Sequence, residues 1–195
     1  PNAVTLYDLI PLRQPDDYLK HQPFRNFYLH RLEYLKKADL LFAISEYSRQ
    51  EGIEQLQVPS EKVVNISAAA DEMFKPVQMS LEQITTLKAR YGIEKPFVMY
   101  SGGYDARKNL KGLLKAFSLI PAKLKDEYQL VIAGKASMDI QGEMLFLAKR
   151  LGIQKSLVFT GYIPDNDLVA LYSLCDLFIL PSLYEGFGLP ALEAM

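Results

Sequence analysis

Cysteine is nearly absent from the 195-residue chain. Cys175 stands alone, so neither an internal disulfide nor a cysteine-rich zinc site can form, and a reducing, cytoplasmic setting is expected. Histidine is almost as scarce: His21 and His30 are the only two, too few for a histidine-built metal centre. Both read as solvated surface residues, and Cys175 as a small core residue beside a strand start. Positive charge is not in excess either. Lys plus Arg number 22 against 23 Asp plus Glu, which excludes nucleic-acid or membrane-surface binding driven by bulk charge and leaves room for a local basic site. No apolar run reaches the roughly 18 residues needed to span a bilayer, and no signal-peptide pattern opens the sequence. The G-x-G-x-x-G dinucleotide fingerprint and the P-loop are also missing.

What is present is an α/β pattern. Apolar residues make up 49% and charged ones 23%, the balance of a globular rather than a disordered protein. Ala3–Tyr7, residues 39–45 and residues 62–67 read as strands; helices are expected at Phe24–Lys37 and from the cap Ser45 to about Gln57. After a linker over 68–78 and a helix at Leu81–Tyr91, strands at 97–101, 129–133, 157–160 and 177–180 alternate with helices at 109–120, 138–151, 165–173 and from Pro190. Short strands apolar on both faces imply parallel sheets covered by helices on each side. The expected organisation is a first Rossmann-like block over 1–75 and a second, more complete one over 76–195. The opening PNAVTLYDLIP and the closing GLPALEAM both read as elements cut short, so the chain is expected to be a piece of a longer protein.

Ligands of open α/β sheets bind beyond the carboxyl ends of the strands. There the second block carries SGGYDARKN, AGKAS, TGYIPDN and PSLYEGFGLP, four glycine-bearing turns on one rim. Any one could be an ordinary strand-to-helix turn; four together favour a site. Arg107 and Lys108 precede Asn109, the expected cap of the next helix, where two cations at the positive end of the dipole invite a phosphate or simply point into water. Lys135, after Gly134, could reach the same rim. In EGFGLPALEAM, Glu185 and Glu193 lie at the end of one strand, eight positions apart with free amides between them. Glu193 could merely complement the helix dipole. Carboxylates also accept paired hydrogen bonds from vicinal hydroxyls, so two acids flanking an anion-binding loop suggest a polyol on each side of a phosphate, as in a nucleotide sugar.

These stretches, with ADLLFAISEYSRQ and KVVNISAAADEMFKP before them, resemble the retaining glycosyltransferases of family four, which have the two-domain GT-B fold. The likeness covers most of the chain from about residue 38, and the paired glutamates are its most specific signal. The resemblance implies that Glu185 holds donor-sugar hydroxyls, that Glu193 binds the nucleotide ribose, and that the amides of Gly186, Phe187, Gly188 and Leu189 hold sugar and phosphate. It implies that Lys108, with Arg107, neutralises the donor diphosphate beside Gly102, Gly103, Gly134 and Lys135, and that Gly161, Tyr162 and Ile163 wall the base. Tyr7 and Asp8 match a segment facing the acceptor.

Three departures stand out. Gly103 occupies a position where many members have arginine, Tyr7 precedes Asp8 where histidine is usual, and Ala69-Ala70-Asp71 replaces Gly-x-Asp. The implied reaction moves a sugar from a nucleoside diphosphate sugar, GDP-mannose first among the donors, to a glycan or lipid-linked acceptor with retention of configuration. No metal or further cofactor is required, and peripheral contact with the inner face of a membrane is compatible with it. Two other readings are a GT-B nucleotide-sugar epimerase, which would need titratable acid–base groups in the cleft, and a non-catalytic nucleotide-sugar-binding module. The isolated piece is expected to transfer sugar poorly.

Overall fold

The computed structural model describes residues 1–195, which divide into two compact units: Pro1–Ala69 with Tyr184–Leu189, and Ala70–Leu183 with Pro190–Met195. The division falls between residues 69 and 70 rather than after residue 75, and the EGFG segment groups with the first unit.

The first unit contains a parallel sheet in the order β1 (Ala3–Leu6), β2 (Leu40–Ala43), β3 (Val63–Asn65). Helices α1 (Ile10–Arg13), α2 (Pro15–Tyr18) and α3 (Gln22–Lys37) separate β1 from β2, and α4 (Glu46–Leu56) separates β2 from β3. Leu6, Leu41, Ala43 and Val63 from the sheet pack with Leu32 and Leu56 from the helices. Ser45 caps α4 as its spacing predicts, its hydroxyl accepting the Ser48 amide at 2.9 Å. Two short helices, α1 and α2, stand where the prolines suggested loop: Pro11 and Pro15 occupy first-turn positions, which have no intrahelical donor to lose. The third strand is shorter than residues 62–67, and Ser67 beyond it adopts a left-handed φ of 57°.

The second unit opens with α5 (Leu81–Arg90), held by a reciprocal capping box between Ser80 and Gln83. There follow β4 (Phe97–Ser101), α6 (Leu110–Leu119), α7 (Ala122–Glu127), β5 (Gln129–Ala133), α8 (Met138–Arg150), β6 (Leu157–Gly161), α9 (Asp165–Leu174), β7 (Leu177–Phe178) and α10 (Leu189–Glu193), whose first residue groups with the first unit. The sheet is parallel, in the order β6-β5-β4-β7. Its faces carry separate cores. Phe97, Met99 and Val131 pack with Leu87 and Leu171 on one side; Tyr100, Leu130 and Ile132 pack with Leu114 and Ala148 on the other. This alternation explains why β4 and β5 read as unbroken apolar runs. Strand β7 stops after two residues rather than four, although the Ile179 amide still donates to the Met99 carbonyl at 2.8 Å before Pro181 turns the chain away. Helix α7 was not expected from the sequence; it is a six-residue turn of helix between α6 and β5. No helix is long and apolar enough to cross a membrane.

Candidate functional site: a glycine rim and a clamped loop

Strand order locates the candidate site in the second unit. The chain passes from β4 to β5 and β6 on one side, then returns to place β7 on the other, so the order reverses between β4 and β7. At such a switch point the turns beyond the strands diverge to opposite faces and leave a crevice. Two bonds tie the turn after β4 to the one after β7. The Leu183 amide donates to the Arg107 carbonyl at 2.8 Å, and Asn109 Nδ2 donates to the Pro181 carbonyl at 3.1 Å. Asn109 thus stands at the expected cap position of α6 without acting as a side-chain cap. Its backbone is left-handed, with φ 54° and ψ 37°, and its amide bridges turns instead.

The glycines of this rim interlock. Gly102 has φ 141° and Gly134 φ 146°, values that side chains rarely allow. The Gly102 amide donates to Ala133 and the Gly134 amide to Gly161, each at 3.0 Å, which joins the turns after β4, β5 and β6. Gly103 has no positive φ; its carbonyl accepts the Tyr100 hydroxyl at 2.6 Å. Lys108 ends a 3-10 turn, Ala106–Lys108, and is buried at 8% exposure, whereas Arg107 is half-buried and Lys135 exposed. A lysine held this deep spends its stem on packing. Tyr162 is exposed, but Ile163 belongs to the apolar core beside Leu171, so its side chain serves packing first.

Glu193 closes a chain of hydroxyls. Ser101, at the end of β4, lies 2.5 Å from the Tyr172 hydroxyl, which donates to the Glu193 carboxylate at 3.2 Å. Burial raises the Glu193 pKa above the usual carboxylate range, with Asp165 adding repulsion and the Tyr172 hydroxyl opposing both. Burial likewise raises the Tyr172 pKa, so that hydroxyl stays a donor. Pro190 is the second helical residue of α10, not the first, and Glu193 is the last.

In the first unit the structure joins residues that the sequence had kept apart. The carbonyl of Gly186 accepts the Ser45 hydroxyl at 2.5 Å and lies 3.0 Å from the Ser48 hydroxyl, which also reaches the Tyr7 carbonyl at 2.7 Å. Gly186 is packed so closely that a Cβ there would lie 2.5 Å from the Tyr7 carbonyl oxygen and 3.1 Å from Asp8 Cβ. Tyr7, Asp8 and the loop bearing Glu185 are therefore neighbours. Asp8 Oδ1 accepts the Ile10 amide at 3.0 Å and Tyr7 is 64% exposed, so Tyr7 is not a packed strand-end aromatic. Glu185, Phe187, Gly188 and Leu189 are half-buried in this segment, with Gly188 at φ 91°.

Sequence reasoning passed over Ser101, Tyr172, Ser48 and Glu51, all of them buried. For Glu51 a signal existed: Ser48, Glu51, Gly52 and Leu56 share the buried face of α4 at helical spacing, so a carboxylate stands where an apolar residue is usual.

The chain is 44% identical over 190 residues to the serotype-specific mannosyltransferase WbdA of Escherichia coli, covering 97% of this chain and 23% of that protein. It is 31% identical to the O-antigen chain mannosyltransferase B of Escherichia coli, covering 94% of this chain and 56% of that one. The chain thus spans about a quarter to a little over half of these relatives. Anabaena HepE, solved in complex with UDP and glucose, superposes with a TM-score of 0.75 at 22% identity over all of this chain and 50% of its own, a likeness of fold that assigns these Rossmann-like units to the GT-B class. Residues 83–195, which hold the switch-point crevice, the interlocked glycines and both paired glutamates, match the glycosyl transferases group 1, and the chain belongs to that family.

Proposed function

We propose that the protein containing this chain is a retaining mannosyltransferase that takes its sugar from a nucleoside diphosphate sugar, GDP-mannose, and gives it to a hydroxyl of a glycan or lipid-linked acceptor. The observation that carries the reading is the interlocked glycine rim beyond β4, β5 and β6 with the buried Lys108 beside it. Glycines that let a ligand approach the backbone closely, beside a fixed cation, suit a diphosphate, and 44% identity to a protein named a mannosyltransferase supports the choice of sugar.

In this reading Lys108 and Arg107 stabilise the charge that develops on the leaving diphosphate. Gly102, Gly103, Gly134 and Lys135 surround its oxygens. Glu193 accepts the ribose hydroxyls, Tyr162 and Ile163 flank the base, and Glu185 with the amides of Gly186–Leu189 orients the sugar. Asp8 and Tyr7 face the acceptor. The bond from the anomeric carbon to the diphosphate oxygen breaks, the bond to the acceptor oxygen forms on the same face, and the acceptor proton passes to the departing diphosphate. The protein then supplies no separate base, and the scheme uses no metal.

The test is calorimetric titration of the natural polypeptide with GDP, GDP-mannose, UDP and UDP-glucose in magnesium-free buffer, followed by transfer from the donor that binds. Binding of the guanosine pair alone, and a product whose anomeric configuration equals that of the donor, are expected. An inverted product rules out the mechanism, and selective binding of the uridine pair rules out the donor.

A further inference from the structure

Glu51 is the most deeply buried carboxylate of the chain, at 5% exposure, and the proposed transfer chemistry does not use it. A charge so placed is costly unless every lone pair finds a donor. Its donors come from three separate places. Oε2 accepts the Leu9 amide at 3.0 Å, just beyond Asp8. Oε1 lies 3.4 Å from the Arg13 guanidinium of α1 and accepts a hydrogen bond from the Tyr184 hydroxyl. The Tyr184 ring also meets Tyr47 edge-on, with centroids 5.5 Å apart. Two residues on, the Gly186 carbonyl is gripped by Ser45, the cap of the same helix α4, and by Ser48 in its first turn. The segment between these anchors is one residue long, and that residue is Glu185.

We propose that Glu51 is a positioning residue for the donor-sugar site: acting through Tyr184 on one side, with the Ser45–Ser48 pair holding Gly186 on the other, it fixes the backbone from which Glu185 meets the sugar, and through Leu9 it fixes the Asp8 turn at the same time. The proposal rests on the reading of Glu185 as the sugar-binding acid. A buried carboxylate suits this role because its two oxygens accept from the acceptor-side turn and from the loop at once. An apolar residue of equal size would pack as well but would bind neither. Core packing alone explains neither the two-sided grip nor its focus on Glu185.

The experiment uses the natural polypeptide with Tyr184→Phe, Glu51→Gln and the double variant. GDP and GDP-mannose affinities are measured by calorimetry, and amide exchange is followed over residues 184–189. Tyr184→Phe keeps the ring and its contact with Tyr47, so the fold is expected to persist. GDP affinity should stay within about twofold while GDP-mannose affinity falls on the order of tenfold, the size of one hydrogen bond to a charged group. Exchange at Gly186–Leu189 should speed up. Glu51→Gln should show the same selective loss, and the losses in the double variant should be less than additive, because the two substitutions share the Tyr184–Glu51 contact. Unchanged GDP-mannose affinity with unchanged exchange overturns the proposal, and so does an equal loss for both ligands. Glu185→Ala separates the two ideas: full GDP-mannose affinity in that variant refutes the sugar-binding role of Glu185, whereas the exchange data still decide whether Glu51 positions the loop.

Discussion

Replacing Gly134 with alanine probes the rim where the structure is least forgiving. The residue has φ 146°, a region closed to side chains, and a Cβ there would come within 3.0 Å of the Gly102 carbonyl oxygen, with Tyr104 Cε2 at 3.4 Å. Holding alanine in such a conformation costs about 1–3 kcal/mol. Moving a backbone carbonyl out of the way adds about 1–3 kcal/mol, as overpacking in a filled region does. The carbonyl cannot move alone, because the Gly102 amide is bonded to Ala133 and the Gly134 amide to Gly161. A total of roughly 2–6 kcal/mol is a large part of the 5–15 kcal/mol that holds an ordinary domain together. Urea unfolding followed by circular dichroism should therefore show the midpoint falling by at least about 0.7 M, given slopes of about 1–3 kcal/mol per molar. The control is Gly142→Ala in α8, where nothing lies within 4 Å of the added methyl and helix propensity alone predicts a gain of roughly 0.5–1 kcal/mol. If both variants melted at the wild-type midpoint, the argument that backbone approach fixes this rim would fail.

Other outcomes follow from the same geometry. Lys108→Met preserves most of the buried stem while deleting the charge, so transfer should fall on the order of 10²–10³-fold, and a wild-type rate would remove Lys108 from the proposed diphosphate site. If Glu193 accepts the ribose hydroxyls as proposed, its raised pKa means that GDP affinity should weaken as pH falls, from a higher pH than an ordinary carboxylate would set. In Glu193→Gln that slope should vanish, and a persisting slope would assign the titration elsewhere. For folding the sign is reversed: the raised pKa means that protonated Glu193 favours the folded state, a contribution complete below its unfolded pKa and lost as pH rises through the folded one. Ser80→Ala opens the capping box of α5, and thermal unfolding should report a loss of about 1 kcal/mol; no loss would mean that packing alone sets this helix end.

Some of this protein was legible in its sequence because the signals are local. The alternation of β4 to β7 with α6, α8 and α9 follows from apolar runs and helical spacing, and the caps Ser45 and Ser80 from residue type and position. The residues of the rim were legible for a related reason: glycines, Arg107 and Lys108 cluster at strand ends, where the path of the chain alone places them together. The short helices α1, α2 and α7 were not, since a single turn carries too few residues for a period to emerge and its prolines also suit loops.

Other features depended on residues far apart in the chain. Which strand lies beside β4 is set by tertiary packing, and only the placement of β7 there creates the switch point. The burial of Lys108 and Ile163, the Ser101–Tyr172–Glu193 relay and the diversion of Asn109 to Pro181 all require partners dozens of positions distant or the enclosure of a finished core. The grouping of Tyr184–Leu189 with the first unit is the clearest case. Sequence continuity placed the EGFG loop with the strand before it, whereas the hydrogen bonds of Tyr184 and Gly186 run to Glu51, Ser45 and Ser48, more than 130 positions away. Local propensity fixes which elements form. Which buried polar groups satisfy one another is decided only when those elements pack, because an unpaired buried charge or carbonyl takes whichever partner the completed fold brings within reach.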